Sequence, residues 1–348
     1  MKSEWHKFLA NAGAEIDDDK VISFGNLQRE QRVALTGLVI CDLSHFGLIS
    51  VYGEDAVDFL QGQLTNDVRN VSENCSQLSA YCTPKGRMLA NFRIFKRGDT
   101  LYLRLPGNLL ETTLKRIRMF ILMSKVTMED SSDSLVHFGV SGPKAEEHLK
   151  SIFSELPLND DDTKQINGYT IIRVPGQHPR FEIYGELESM SELWSKLDVH
   201  AAPIGYGPWA RMDIVAGIPV IFPATSESFV PQMTNMQLIN GINFQKGCYT
   251  GQEIVARMQY LGKLKRQMYR VKIATEDTVN PGDPLFSIDT SSGQGTGSII
   301  DAQPDSEGAT DALAVIDIST AEKGNLKLKD ENGPAISLEK LPYSFTEK

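Results

Sequence analysis

The sequence predicts an α+β protein of several lobes, and three patterns carry that expectation. Between Leu135 and Leu197 the elements read strand, helix, strand, strand, helix, the order of a split βαβ, ferredoxin-like lobe. From Arg266 onward short apolar runs alternate with turn residues, which fits a small antiparallel β-barrel. Ahead of both, a hairpin and amphipathic helices with 3.6-residue apolar spacing point to a mixed first lobe. At 348 residues the chain is long enough for two or three domains with sizeable cores.

Residues 33 to 51 alternate loosely and read as strands around Gly37 and Gly47. Glu54 to Leu64 reads as a helix with Val57, Leu60 and Leu64 on one stripe. Met88 to Phe95 and Leu101 to Leu105 read as strands joined through Arg97, Gly98 and Asp99 as a hairpin. Asn108 is placed to cap a helix reaching about Met123, with Leu110, Leu114, Ile117 and Ile121 facing inward. The middle lobe follows as strand Leu135 to Val140, helix Pro143 to Phe153, strands Tyr169 to Val174 and Arg180 to Tyr184, and helix Glu188 to Leu197; Pro143 suits a first helical position. The barrel strands are expected at Met268 to Ile273, Pro284 to Ile288, Ile299 to Ala302, Ala312 to Ile318 and Leu326 to Leu328. The glycine-rich stretch from Gly293 to Gly297 has no preceding strand with a following helix and no Lys-Ser/Thr ending. It reads as a hairpin turn, not a phosphate loop.

Composition narrows the function classes. The 41% apolar and 23% charged content is that of an ordinary water-soluble protein. No apolar run suits a signal peptide or a membrane span, so a cytoplasmic protein without membrane contact is expected. The four cysteines (Cys41, Cys75, Cys82, Cys248) form no CxxC pair and the six histidines stand singly, which indicates neither a disulfide scaffold nor a zinc site. The aspartates between Asn159 and Asp162 lack the spacing of a calcium loop. A net charge of −10 argues against coating by nucleic acid, and no DNA partner is expected. Charge is uneven, however. Lys85, Arg87, Arg93, Lys96, Arg97, Arg104, Lys115, Arg116, Arg118 and Lys125 are opposed only by Asp99 and Glu111, and a second basic run covers Arg257, Lys263, Lys265, Arg266 and Arg270. Such runs suit phosphates, a polyglutamate tail or an acidic partner, or are solvated faces balanced elsewhere.

The most specific segment is residues 246 to 253: Lys246, Gly247, Cys248, Tyr249, Thr250, Gly251, Gln252 and Glu253. Thr250 and Glu253 have the spacing of a capping box, the residues to Tyr260 carry a helix, and Gly262 is placed to end it. Cys248 then lies just before a helix N-terminus, where the partial positive charge and Lys246 both favour the thiolate. Spacing leaves two readings open: a poised thiolate, or a glycine-shaped turn holding an inert thiol. Two aromatics are weighed as ligand platforms. Trp209 stands two residues before Arg211, a pair suited to a flat heteroaromatic ligand bearing carboxylates, and Phe46 stands at a strand start. Either is equally at home in a core.

The whole pattern resembles the folate-binding, tRNA-modifying YgfZ family, relatives of the glycine-cleavage T-protein (aminomethyltransferase). The octapeptide from Lys246 to Glu253 carries the resemblance, with Gly53 to Ala56, Phe59 to Val68, Lys85 to Arg87, Trp209 to Asp213 running into Ala216 to Pro219, then Phe229 to Gln232 and Asn235. It covers about residues 30 to 345. The resemblance implies a three-lobed T-protein-like fold: a folate-binding domain of residues 1–130 plus 201–264, an inserted ferredoxin-like lobe at 131–200 and a C-terminal barrel at 265–348.

It also implies that tetrahydrofolate or a one-carbon derivative binds against Trp209 and Phe46, with Arg211 near the charged end. Phe46 falls where the family usually has tryptophan; a phenyl ring stacks with less area and no indole N–H. The implied role is an accessory factor in tRNA modification that supports iron–sulfur-dependent tRNA thiolation enzymes and the maintenance of their clusters. Cys248 and Lys246 are then the chemistry-bearing residues. One cysteine cannot hold a cluster that takes four thiolates, so any metal contact at Cys248 is transient. Where the T-protein has an Asp-Asp pair, this chain has Ala90 and Asn91, neither able to serve as a general base near neutral pH. An intact aminomethyltransferase is therefore not expected. Two rivals remain: a folate-dependent one-carbon transferase using Cys248, and a tRNA-binding module using the Lys85–Lys125 run.

Overall fold

A computed structural model describes residues 2–260, 262–290 and 295–345. The chain divides into two compact units, residues 1–56, 69–77 and 93–212 in one and residues 57–68, 78–92 and 213–348 in the other. No described helix is long and apolar enough to cross a membrane.

The first unit is organised by a six-stranded sheet in the order Thr163–Ile166, Tyr169–Arg173, Arg180–Gly185, Val136–Ser141, Val39–Asp42, Ala202–Ile204. All pairings are antiparallel except the last, which is parallel. The split βαβ elements stand close to their expected places, with helices at Ala145–Lys150 and Leu187–Asp198. The sheet is wider than the sequence indicated because two short strands from either side of that segment, Val39–Asp42 and Ala202–Ile204, extend its edge. Strand side chains alternate between faces. Phe138, Val140, Phe181 and Ile183 face a core that includes Leu193, Trp194 and Leu197 of the second helix. The N-terminal helix Ser3–Asn11 joins that core through Trp5, whose ring meets Trp194 edge-on at 5.7 Å. Trp5 Nε1 donates to buried Asp42 Oδ1 at 2.7 Å, so the indole buries without an orphaned donor.

Beside it in this unit, Phe46–Tyr52 pairs with Thr100–Pro106 and Thr127–Asp130. Helix Gly107–Arg118 packs on that strand where Gly47 leaves room, since a Cβ there would lie 2.3 Å from Leu110 Cδ1. The helix starts beyond Pro106 without an Asn108 cap and stops at Arg118, not Met123. The next residues leave Met119, Phe120, Leu122 and Met123 exposed.

The second unit contains a closed barrel in the order Arg266–Ile273, Thr310–Asp317, Gly297–Pro304, Pro284–Phe286, Leu326–Leu328, Ala335–Glu339. The last strand, unread in the sequence because only Ile336 of its five residues is buried, closes the barrel onto Arg266–Ile273. The turn expected at Gly293 to Gly297 begins with residues outside the described ones. A bulge between Ile299 and Asp301 turns the Asp301 carboxyl inward, where it is 3% exposed. Burial pushes that carboxyl up, its Ala302 N–H pulls it back, the Asp213 carboxylate pushes it up further, and it titrates at about 7. Its stabilising contribution is therefore fully present below the unfolded carboxyl value of about 3.8 and is lost as pH rises through about 7. Between about pH 5 and about pH 8, stability measured by urea unfolding should decline by about 2 kcal/mol less in Asp301→Asn than in the parent chain.

Candidate functional site

The octapeptide and its surroundings lie in the second unit. Lys246 is buried, and its ammonium donates to the carbonyls of Leu64 at 2.6 Å, Asn66 at 2.8 Å and Gln61 at 2.9 Å. These carbonyls close the turn after helix Ala56–Gln61, where a cation also meets the negative end of the helix dipole. The Tyr249 ring covers the ammonium at 5.2 Å. The expectation that Lys246 serves as a charge on the Cys248 thiol is revised accordingly: three carbonyls take the lysine's hydrogen bonds and make it a pin for the loop.

Helix Gln252–Tyr260 begins two residues after Thr250 because Gly251 sits at a φ of +86°, outside the helical region. Thr250 donates its backbone N–H to Gly62 O at 3.3 Å. A Cβ on Gly251 would lie 2.5 Å from Thr83 O and 3.0 Å from Gly86 Cα, so the Lys85 to Arg87 turn and the octapeptide interlock through two glycines. Gln252 Nε2 reaches back to the carbonyls of Lys246 and Gly247, both at 3.4 Å. Gly262 ends the helix as expected, donating to Arg257 O at 2.8 Å. The loop so fixed leaves Cys248 exposed. Cys41 and Cys82 are buried, with burial pushing the Cys82 thiol up to about 12, and Cys75 is half-buried with its thiol pushed up by burial and by Asp161 and Asp162. Cys248 is thus the accessible thiol of the four.

Asn91, also in this unit, has a fixed structural task. Its Nδ2 donates to Pro219 O at 2.8 Å and its Oδ1 accepts from Ile221 N–H at 2.9 Å. Ala90 beside it is fully buried. A carboxylate at position 91 would put an acceptor against the Pro219 carbonyl.

Phe46, Trp209 and Arg211 lie in the first unit, where the two aromatics meet the polar face of its six-stranded sheet. Arg180, Glu182 and Tyr184 alternate along one strand and pair with Ser141, Gly139 and His137 of the next. Trp209, 1% exposed on helix Tyr206–Ala216, lies against Gly139, where a Cβ would come within 2.1 Å of its ring. The Arg180 guanidinium lies over the same ring at 4.2 Å. Arg104 stacks on Phe46 at 4.0 Å and pairs with Glu182 at 3.3 Å, while Tyr184 donates to Glu182 at 2.7 Å. Arg93 pairs with Asp161 at 2.5 Å. Arg211 is half-buried two helical residues beyond Trp209, so the two side chains leave the axis roughly 200° apart.

The electrostatics follow from burial. Burial pushes the Glu182 carboxyl up, but Arg104, Arg93, the Tyr184 hydroxyl and Arg180 together hold it below the ordinary value. Burial drives His137 down to about 3 and His45 well down, the latter with help from His137 and Arg104, so both imidazoles are neutral at pH 7. Among the described residues, the buried nitrogens here without a hydrogen-bond partner include Trp209 Nε1, His45 Nδ1 and His137 Nε2. Unpaired buried donors and acceptors are rare, and beside a cationic group they fit a polar aromatic ligand bearing carboxylates.

Sequence reasoning missed Arg104, Arg180, Glu182, His45 and His137. The legible signal was the period-two series Arg180, Glu182, Tyr184 inside a buried strand. The Lys85–Lys125 run is not one surface: buried Arg93 and half-buried Arg104 sit in ion pairs, Arg118 donates to Met128 O, and Lys125 pairs with Glu54 at 2.6 Å. No group of three or more potential metal ligands occurs among the described residues.

The GCVT N-terminal domain family matches residues 15–213. The tRNA-modifying protein YgfZ of Yersinia pseudotuberculosis serotype IB (strain PB1/+) is 33% identical over 317 residues, covering 90% of this chain and 96% of that protein. The same-named protein of Yersinia enterocolitica serotype O:8 / biotype 1B is 33% identical over 310 residues, covering 89% and 94%. The crystal structure of glycine cleavage system aminomethyltransferase T from Bartonella henselae shares the fold, with a TM-score of 0.79 over 97% of this chain and 96% of that one, at 17% identity.

Two substitutions test this geometry. Lys246→Met should leave three carbonyls without a donor and destabilise the chain by about 3 kcal/mol or more in urea unfolding. Asn91→Asp should cost roughly 1–3 kcal/mol near neutral pH, and its deficit should shrink as pH falls and the carboxyl regains a proton to donate.

Proposed function

The chain belongs to the YgfZ family and carries a GCVT N-terminal domain, and on that premise we propose that it is a folate-binding accessory factor in tRNA modification. Membership of a family whose relatives are named tRNA-modifying proteins is the observation that carries the tRNA role. The folate reading draws on the orphaned nitrogens and guanidiniums of the first unit. Reduced folate carries one-carbon units on its pterin and p-aminobenzoyl nitrogens.

In this proposal Trp209 and Phe46 bind tetrahydrofolate together with the arginines stacked on them. Trp209 Nε1 and the neutral His45 and His137 meet polar edges of the ligand. Because both rings carry a guanidinium, folate engages the paired surfaces instead of a bare aromatic face. Cys248 is the reactive group of the second unit. It works by transient contact with metal or sulfur while the chain supports iron–sulfur tRNA thiolation enzymes. The amide at Asn91, committed to Pro219 and Ile221, weighs against a transferase that keeps a carboxylate base there.

Calorimetry with tetrahydrofolate checks the ligand: Trp209→Ala should weaken binding by roughly ten-fold or more, the scale of a lost aromatic contact with its hydrogen bond. Unchanged affinity would remove Trp209 from the site. The modified-nucleoside profile of tRNA from cells lacking the protein should be restored by the parent chain and not by Cys248→Ala. Equal rescue would leave the thiol without a role, and turnover of methylene- or formyl-tetrahydrofolate that disappears in Cys248→Ser would favour the transferase.

A further inference from the structure

The helix after the Cys248 loop exposes Glu253, Arg257 and Tyr260, whose spacing puts them on one face. Tyr260 is 67% exposed, and its ring meets Phe244 edge-on at 6.2 Å and 70°. Phe244 and Tyr260 therefore bracket the segment that presents the exposed Cys248. Between Phe244 and Arg266 the chain has five cations and one acid, Glu253, within a protein of net charge −10. Lys246 and Arg266 are committed to carbonyls, Arg266 to that of Gly295 at 2.6 Å. Arg257, Lys263 and Lys265 are exposed and have no acidic partner among the described residues. Exposed Lys85 belongs to the same neighbourhood, because Gly86 packs against Gly251 and Ile254 at the start of the helix.

An exposed aromatic ring beside unpaired cations is the composition of a single-stranded nucleic-acid surface. Bases stack on the ring, and phosphates pair with lysine and arginine. An acidic peptide would use the cations and leave the aromatic pair without purpose. We propose that Phe244 and Tyr260, with Lys85, Arg257, Lys263 and Lys265, form a contact surface for unpaired RNA that brings a base beside the Cys248 thiol. The choice of RNA rests on the tRNA-modification reading.

The test uses the full chain with a short fluorescein-labelled oligoadenylate, read by anisotropy over a salt titration. Binding should weaken with salt. Tyr260→Ala should weaken it roughly ten-fold, the scale of one stacked base. Lys263→Ala and Lys265→Ala should each reduce the salt slope by about 0.7. Saturating oligoadenylate should slow alkylation of Cys248 by a maleimide, with Cys248→Ala identifying the thiol being read. Lys263→Glu with Lys265→Glu removes no packing and reports on the same surface should Tyr260→Ala lose its fold. Absence of binding at low salt, equal binding by the variants, unprotected Cys248, or equally tight binding of a polyglutamate peptide would overturn the proposal. The two readings fail separately. A chain needed for the nucleoside profile that binds no RNA loses this surface and keeps its role, whereas one that binds RNA here and leaves the profile unchanged keeps the surface and loses the role.

Discussion

The Lys246 ammonium, held by three backbone carbonyls, is the constraint on which the most specific part of this chain depends. A buried ammonium is tolerated only when its protons are all taken up. Here that need fastens residues 61 to 66 to the octapeptide, two segments far apart in sequence. With Lys246 seated, Tyr249 covers it, Gly251 closes against Gly86, and Gln252 folds back over the loop. What remains outside is Cys248. A lysine that looked like an activator of the thiol is what holds the thiol at the surface.

A second balance of charge organises the polar face of the six-stranded sheet. Glu182 stays ionised although buried because Arg104, Arg93, Tyr184 and Arg180 surround it. Arg104 and Arg180 in turn lie on Phe46 and Trp209. The opposite face of the same strands enters the apolar core through Phe138, Val140, Phe181 and Ile183. One sheet thus separates a packing face from a polar one by strand alternation alone. The close approach of Trp209 is possible because position 139 has no side chain.

Asn91 has a fixed structural task in the second unit. Asn91 uses both ends of its amide on backbone, donating to Pro219 and accepting from Ile221. Only a side chain with one donor and one acceptor fits that pair of groups, which a carboxylate is not. The amide thereby clamps residues 219 to 221.

Much of this protein was legible in its sequence because the signals were local. The strand and helix periodicities of the ferredoxin-like segment, the barrel strands up to Leu328, the exposed cysteine segment and the helix stop at Gly262 all follow from spacing and backbone preference within a few residues. The sequence also singled out Trp209, Phe46 and the octapeptide. Tertiary structure decided what those residues touch. It turned Lys246 from an activator into a pin, divided the Lys85–Lys125 run between buried ion pairs and surface, and gathered Arg104, Arg180, Glu182, His45 and His137 around two aromatics. Each outcome depends on pairing between segments far apart in the chain, where burial fixes charge states and hydrogen-bond partners that local sequence pattern does not encode.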